Sequence, residues 1–194
     1  MSTGTIFFTL LGVAVLVLAV YGIVIYNRLV ELKHNVSKSW SNIDVLLKQR
    51  HDEIPKLVEV CKQYMGYEKD TLTKVMEARN RVANAREQQN MPALGQAETQ
   101  LRLGLGSLFA VAEAYPELKA NQTFQHLQNR ITDLESSIAD RREYYNESVN
   151  LNNVRIEQFP DIIVARQFNF KPFELLEFRD EEKTDVDVKS LFAS

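Results

Sequence analysis

The strongest constraint on this chain is a long run without charge. From Ile6 to Tyr26 it reads IFFTLLGVAVLVLAVYGIVIY, and the first charged side chain of the protein is Arg28. A helix rises about 1.5 Å per residue, so roughly twenty such residues cross the ~30 Å hydrocarbon core of a bilayer. The run therefore predicts one transmembrane helix, with Ile6, Leu10, Val13, Leu16, Val20 and Ile23 among its membrane-spanning residues. Tyr21 and Tyr26 fall near its far end, where amphipathic rings prefer the headgroup level.

A cleaved signal peptide is the rival reading. The run exceeds the usual 7–15 apolar residues and no Lys or Arg precedes it, which favours an uncleaved anchor. Arg28, Lys33 and Lys38 follow the span closely, whereas its N-terminal side offers only the α-amino group. The positive-inside rule then sets the N-terminus outside and the remainder in the cytoplasm.

Beyond Arg28 the apolar residues keep helical spacing: Leu29, Leu32, Val36, Trp40, Ile43, Leu46 and Leu47. The anchor helix is expected to continue out of the membrane until Pro55, where a missing N–H costs ~3 kcal/mol and predicts a kink or break. The stripe resumes from Leu57 to Val82, and Gln88–Pro92 reads as a connection. A further helix is expected from about Pro92 to Ala114, with Gly104 and Gly106 letting a neighbour approach. The last long helix carries the clearest period: Phe124, Ile131, Ile138, Tyr145, Asn152 and Phe159 are seven apart. Asn121 or Thr123 caps its start and Phe159-Pro160 stops it. At roughly 37 residues such a helix reaches ~55 Å, too long to wrap a sphere. The predicted fold is all-α: one transmembrane helix continuing into an elongated antiparallel bundle of long helices. Residues 1–27 form the anchor, 28–179 the cytoplasmic bundle, and 180–194 an acidic flexible tail. The aromatics from Phe168 to Phe178 are expected to close one end of the bundle or dock on a neighbouring subunit. The tail holds five acidic and two basic residues, and so carries the whole formal charge of −3.

That charge, with no basic stripe, argues against nucleic acid as a partner. Gly104-Leu105-Gly106-Ser107 lacks both the third glycine of a dinucleotide loop and the Gly-Lys of a phosphate loop. Glu31-Leu32-Lys33-His34 is a single Glu-x-x-His, where a di-iron bundle needs two such pairs with further carboxylates. Cys61 is a lone cysteine on an apolar face and reads as core. No nucleophile with a base emerges, so no enzyme, cofactor, metal or small-molecule substrate is expected. Trp40, Asn42, Asp44 and Arg50 form the one polar-aromatic cluster, read either as core and solvent or as an inter-helix or inter-subunit network. Arg79, Arg81 and Arg86 read as a solvated face.

Several blocks together resemble the LemA family of bacterial membrane proteins. They are Tyr26-Asn27-Arg28-Leu29-Val30, Trp40-Ser41-Asn42-Ile43-Asp44, Ile54-Pro55-Lys56, Glu77-Ala78-Arg79, and Ala112-Glu113-Ala114-Tyr115-Pro116-Glu117-Leu118-Lys119-Ala120. Phe124-Gln125-His126-Leu127, Tyr145-Asn146 and Phe159-Pro160 continue the resemblance to all but the acidic tail. Leu151-Asn152-Asn153 departs from a more usual Tyr-Asn pair, and Asn169 stands where a glycine is common. The resemblance implies one span, N-terminus outside, and a cytoplasmic helical domain; it implies no reaction. A magnetosome relative suggests membrane shaping, and association with a heat-shock membrane metalloprotease suggests quality control. The reading is a non-enzymatic, self-assembling scaffold that organises or shapes the bilayer. The alternative is an adaptor in membrane-protein quality control or envelope-stress signalling, working with a membrane protease. Implied partners are the lipid bilayer, other copies of the chain, and in the alternative that protease.

Overall fold

The computed structural model describes residues 3–178; the acidic tail from Asp180 lies outside the described residues. Among those residues the chain forms six helices and no strand: α1 (Thr3–Tyr64), α2 (Lys69–Glu87), α3 (Met91–Ala112), α4 (Pro116–Ala120), α5 (Gln122–Glu157) and α6 (Asp161–Gln167). They sort into two compact units. The first joins the chain up to Leu47 with Glu135–Leu175, and the second joins Lys48–Leu134 with the segment from Leu176.

The apolar run opens α1, and its large side chains are bare: Leu10, Leu16 and Leu18 are each about two-thirds exposed. A water-soluble surface does not carry such a strip, whereas hydrocarbon accepts it. Burial begins at Ile25. From there Leu29, Val36, Ile43 and Leu47 lie on one inward face.

The break expected at Pro55 is absent, because α1 runs through it to Tyr64. Proline has no N–H for the carbonyl four residues back, which here is His51. Arg79 Nε of α2 donates to that carbonyl at 2.8 Å, supplying the bond from outside the helix. The chain breaks instead at Met65–Glu68, around the solvent-exposed Gly66. Glycine gives up more backbone freedom in a helix than any other residue, and nothing packs there to offset that loss.

In the second unit α2 and α3 pack against each other. Leu72, Val75 and Val82 of α2 and Leu94, Leu101, Leu105 and Leu108 of α3 are all buried. A Cβ at Gly104 would meet Val75 Cγ2 at 3.4 Å, an ordinary contact, and Gly106 faces open space, so the packing of α2 on α3 requires neither glycine. Asn90 caps α3, its side chain accepting from the Ala93 N–H at 3.0 Å. Asn121 caps α5 by accepting from the Phe124 N–H, also at 3.0 Å.

The period of α5 is a buried seam, as read from sequence: Phe124, Ile131, Ile138, Tyr145 and Asn152 are all buried. Phe159 is the exception, at 82 % exposed. Helix α5 ends at Glu157 and Pro160 begins the turn into α6, so Phe159 has left the helical face that would have buried it. Helix α6 closes with a left-handed residue, Asn169 at φ 56°. The Phe170 N–H reaches Ala165 O and the Asn169 N–H reaches Arg166 O, the paired bonds of a Schellman ending. A glycine suits that position and asparagine is the next best substitute, so the departure at Asn169 preserves the turn.

Candidate functional site

Besides the buried Asp161, which pairs with Arg155, polar side chains are bonded within the fold at three places, and none of these is built around a nucleophile. In the second unit, Arg50 is 1 % exposed and Glu98 is fully buried, with Nη2 to Oε1 at 2.5 Å. Both lie on apolar stripes: Arg50 follows Ile43 and Leu47 on α1, and Glu98 sits between Leu94 and Leu101 on α3. A charge on each inward face is costly to bury, and their meeting offsets part of that cost.

The second place is the Pro55 repair. Arg79 is half-buried between His51 O and Asn80 Oδ1. It is not the solvated arginine expected of it, whereas Arg81 does lie at the surface, donating to Gln100 Oε1 at 2.7 Å. His51 packs beside it with Nδ1 buried and without a hydrogen-bond partner among the described residues. Burial first, and then the Arg79 charge, push the His51 imidazolium below its ordinary 6.5, against the pull of Asp52. Nearby on α1, burial pushes the Cys61 thiol up to about 11, which makes it an inert core side chain at neutral pH.

In the first unit the C-terminal segment is held by backbone recognition. Asn153 Nδ2 donates to Phe173 O at 2.8 Å while the Phe173 N–H donates to Asn153 Oδ1 at 2.9 Å, so one amide satisfies a whole peptide unit. The Tyr145 hydroxyl donates to Glu174 O at 3.0 Å. Burial and the Glu174 charge push its phenol up to about 12, which keeps the donor protonated. The Trp40 ring meets Tyr145 edge-on at 5.9 Å.

The four residues singled out from sequence thus take different places. Trp40 packs on Tyr145 in the first unit, Asn42 on that unit's part of α1 is exposed, and Asp44 is half-buried. Arg50 belongs to the second unit and binds Glu98. Glu98 escaped the sequence reading, although a carboxylate on the Leu94–Leu101 stripe was the available signal. Glu31 and His34 are both exposed on α1. Among the described residues no three His, Cys, Asp or Glu side chains gather as a metal cage.

A bare apolar helix leading into helices whose buried charges pair internally defines a membrane-associated helical protein. The family model described as the LemA family matches residues 39–190, and the chain belongs to that family. It is 23 % identical over 190 residues to Magnetosome protein MamQ 2 of Paramagnetospirillum magneticum, a match covering 86 % of this chain and 70 % of that protein. Magnetosome protein MamQ of Magnetospirillum gryphiswaldense is similar at the same identity and coverage. Protein LemA of Metamycoplasma hominis is 24 % identical over 165 residues, covering 85 % of this chain and 74 % of that protein.

Proposed function

We propose that this chain is a non-enzymatic scaffold, anchored in the bacterial inner membrane by residues 1–27. Its N-terminus lies outside and residues 28–179 lie in the cytoplasm, where copies assemble side by side and organise or shape the bilayer. The observation that carries this reading is a second, uncovered stripe on α5. Tyr144 and Leu151 are seven apart and Val154 follows three later, and all three are exposed, away from the buried seam of Ile138, Tyr145 and Val149. That is the spacing of a helix-pairing surface. Tethering the chain to a membrane raises the effective concentration at which such a surface meets its copy. The similarity to proteins named for the magnetosome supports a role in organising a cellular structure.

Cross-linking through a cysteine at Leu151 in native membranes tests this. Leu151→Cys is expected to give a self-adduct under oxidation, and amine cross-linking a ladder of self-adducts. A single one-to-one adduct with a membrane protease, without self-adducts, would replace the scaffold with an adaptor.

A further inference from the structure

The end of the apolar run is not free of the rest of the first unit. Ile25, still inside that run, is buried with Leu29 against Ile156 at the end of α5 and Ala165 of α6, with Val164 and Phe170 packed around them. Tyr26 lies against Phe168 at 4.7 Å and Phe170 at 5.9 Å. A bilayer that takes roughly twenty residues of the run into its core has Ile25 and Tyr26 at its edge. Helix α6 and its flanks, being packed on those residues, are at the same depth.

The outward side of this segment has the composition of an interface. Phe159, Ile163 and Phe168 are 82 %, 60 % and 58 % exposed. Arg166 and Lys171, also exposed, stand among them. Beside them opens a cavity of about 480 Å³, whose lining includes Tyr26, Lys33, His34, Phe168 and Lys171. Among the described residues lining it there is no carboxylate. The rise from Tyr26 to His34 is about 12 Å, somewhat more than the ~5–8 Å of one headgroup layer. Apolar rings beside lysines that extend along them are how interfacial segments divide between acyl chains and phosphates.

We propose that residues 159–171 are a second membrane contact, an interfacial collar at the base of the anchor. It seats Phe159, Ile163 and Phe168 at the acyl–headgroup boundary and takes an anionic lipid phosphate in the cavity between Lys33 and Lys171. The collar rests on the reading of α1 as a membrane anchor.

The test uses the full chain, reconstituted in phosphatidylcholine vesicles with or without phosphatidylglycerol. One environment-sensitive fluorophore is placed in turn on Val13→Cys, Ile163→Cys and Asp140→Cys, and read with lipids spin-labelled at the headgroup, high on the chain or near its end. Cys61, fully buried, stays silent. The Ile163 label is expected to be quenched several-fold more by the shallow spin labels than by the deep one. The Val13 label should show the opposite order, and the Asp140 label, some 24 Å back along α5 from Ile156, none. An Ile163 label as dark to lipid as Asp140, with Val13 still quenched from depth, would remove the collar and leave the anchor. A Val13 label that no lipid quenches would remove both. For the phosphate site, spin-labelled phosphatidylglycerol should quench the Ile163 label more than spin-labelled phosphatidylcholine, and Lys33→Gln with Lys171→Gln should abolish the preference. No preference, or one that survives the double variant, would overturn that assignment.

Discussion

Arg79 Nε donates at 2.8 Å to the carbonyl of His51, the one carbonyl in α1 that Pro55 deprives of its helical partner. A proline that would otherwise end a helix is thereby built into a helix of 62 residues. Two sequence blocks far apart, Ile54-Pro55-Lys56 and Glu77-Ala78-Arg79, are halves of one structural device.

The device predicts coupling between the two residues. Arg79→Met keeps the aliphatic stem but leaves the carbonyl unmet, at a cost of about 1–3 kcal/mol. Pro55→Ala restores an N–H at position 55, so Arg79→Met in that background should cost less by about 1 kcal/mol or more. Chemical denaturation of the four proteins in detergent, followed by circular dichroism, measures the cycle. Equal costs in both backgrounds would mean that Arg79 does not repair the helix.

The Arg50–Glu98 pair should behave as buried pairs do when halved. Glu98→Leu removes the carboxylate beside a buried guanidinium and is expected to cost about 3–5 kcal/mol, a large part of the ~5–15 kcal/mol that holds a typical domain together. Adding Arg50→Met removes that buried charge and should recover part of the loss. Thermal melts of the single and double variants check it.

Stability should also depend on pH through His51. Its folded value lies below 6.5, so between the two values the unfolded chain binds more protons than the folded one. Stability is then full above about pH 6.5, falls as pH drops through 6.5 toward the folded value, and levels off below it. Melting temperatures taken from about pH 7.5 down to pH 5 should show this decline, and His51→Gln should flatten it.

Helices and seams were legible because they are periodic. The apolar run, the stripe of α3, the cap at Asn121, and the buried row Ile131, Ile138 and Tyr145 each follow from spacing and local chemistry. What was not legible depends on a partner far along the chain. Pro55 ends a helix by local rules, and only Arg79, 24 positions on, reverses that outcome. Arg50 is grouped from sequence with Trp40, Asn42 and Asp44, and the inter-helix bond it makes is to Glu98. Its partner Glu98 sits on another helix. The pinning of Phe173 by Asn153 was hidden for the same reason, since one side-chain amide mimicking a backbone leaves no pattern in sequence.

Gly95 marks where the C-terminal segment crosses α3. A Cβ there would lie 1.9 Å from Glu177 O, a backbone atom that cannot rotate away. Gly95→Ala should therefore lift the segment holding Leu176 and Phe178, with a loss of about 1–3 kcal/mol. Limited proteolysis should cut the variant near Glu177 faster than the parent, while Gly106→Ala, in open space, should leave the cleavage rate unchanged.

Assembly at a membrane can be read by counting subunits. The full chain, carrying one fluorophore per copy, is extracted from native membranes into lipid nanodiscs without detergent, and bleaching steps are counted particle by particle. Particles with several steps are expected, reduced toward one by Leu151→Glu on the uncovered stripe of α5. Single steps in the parent protein at every expression level would contradict it.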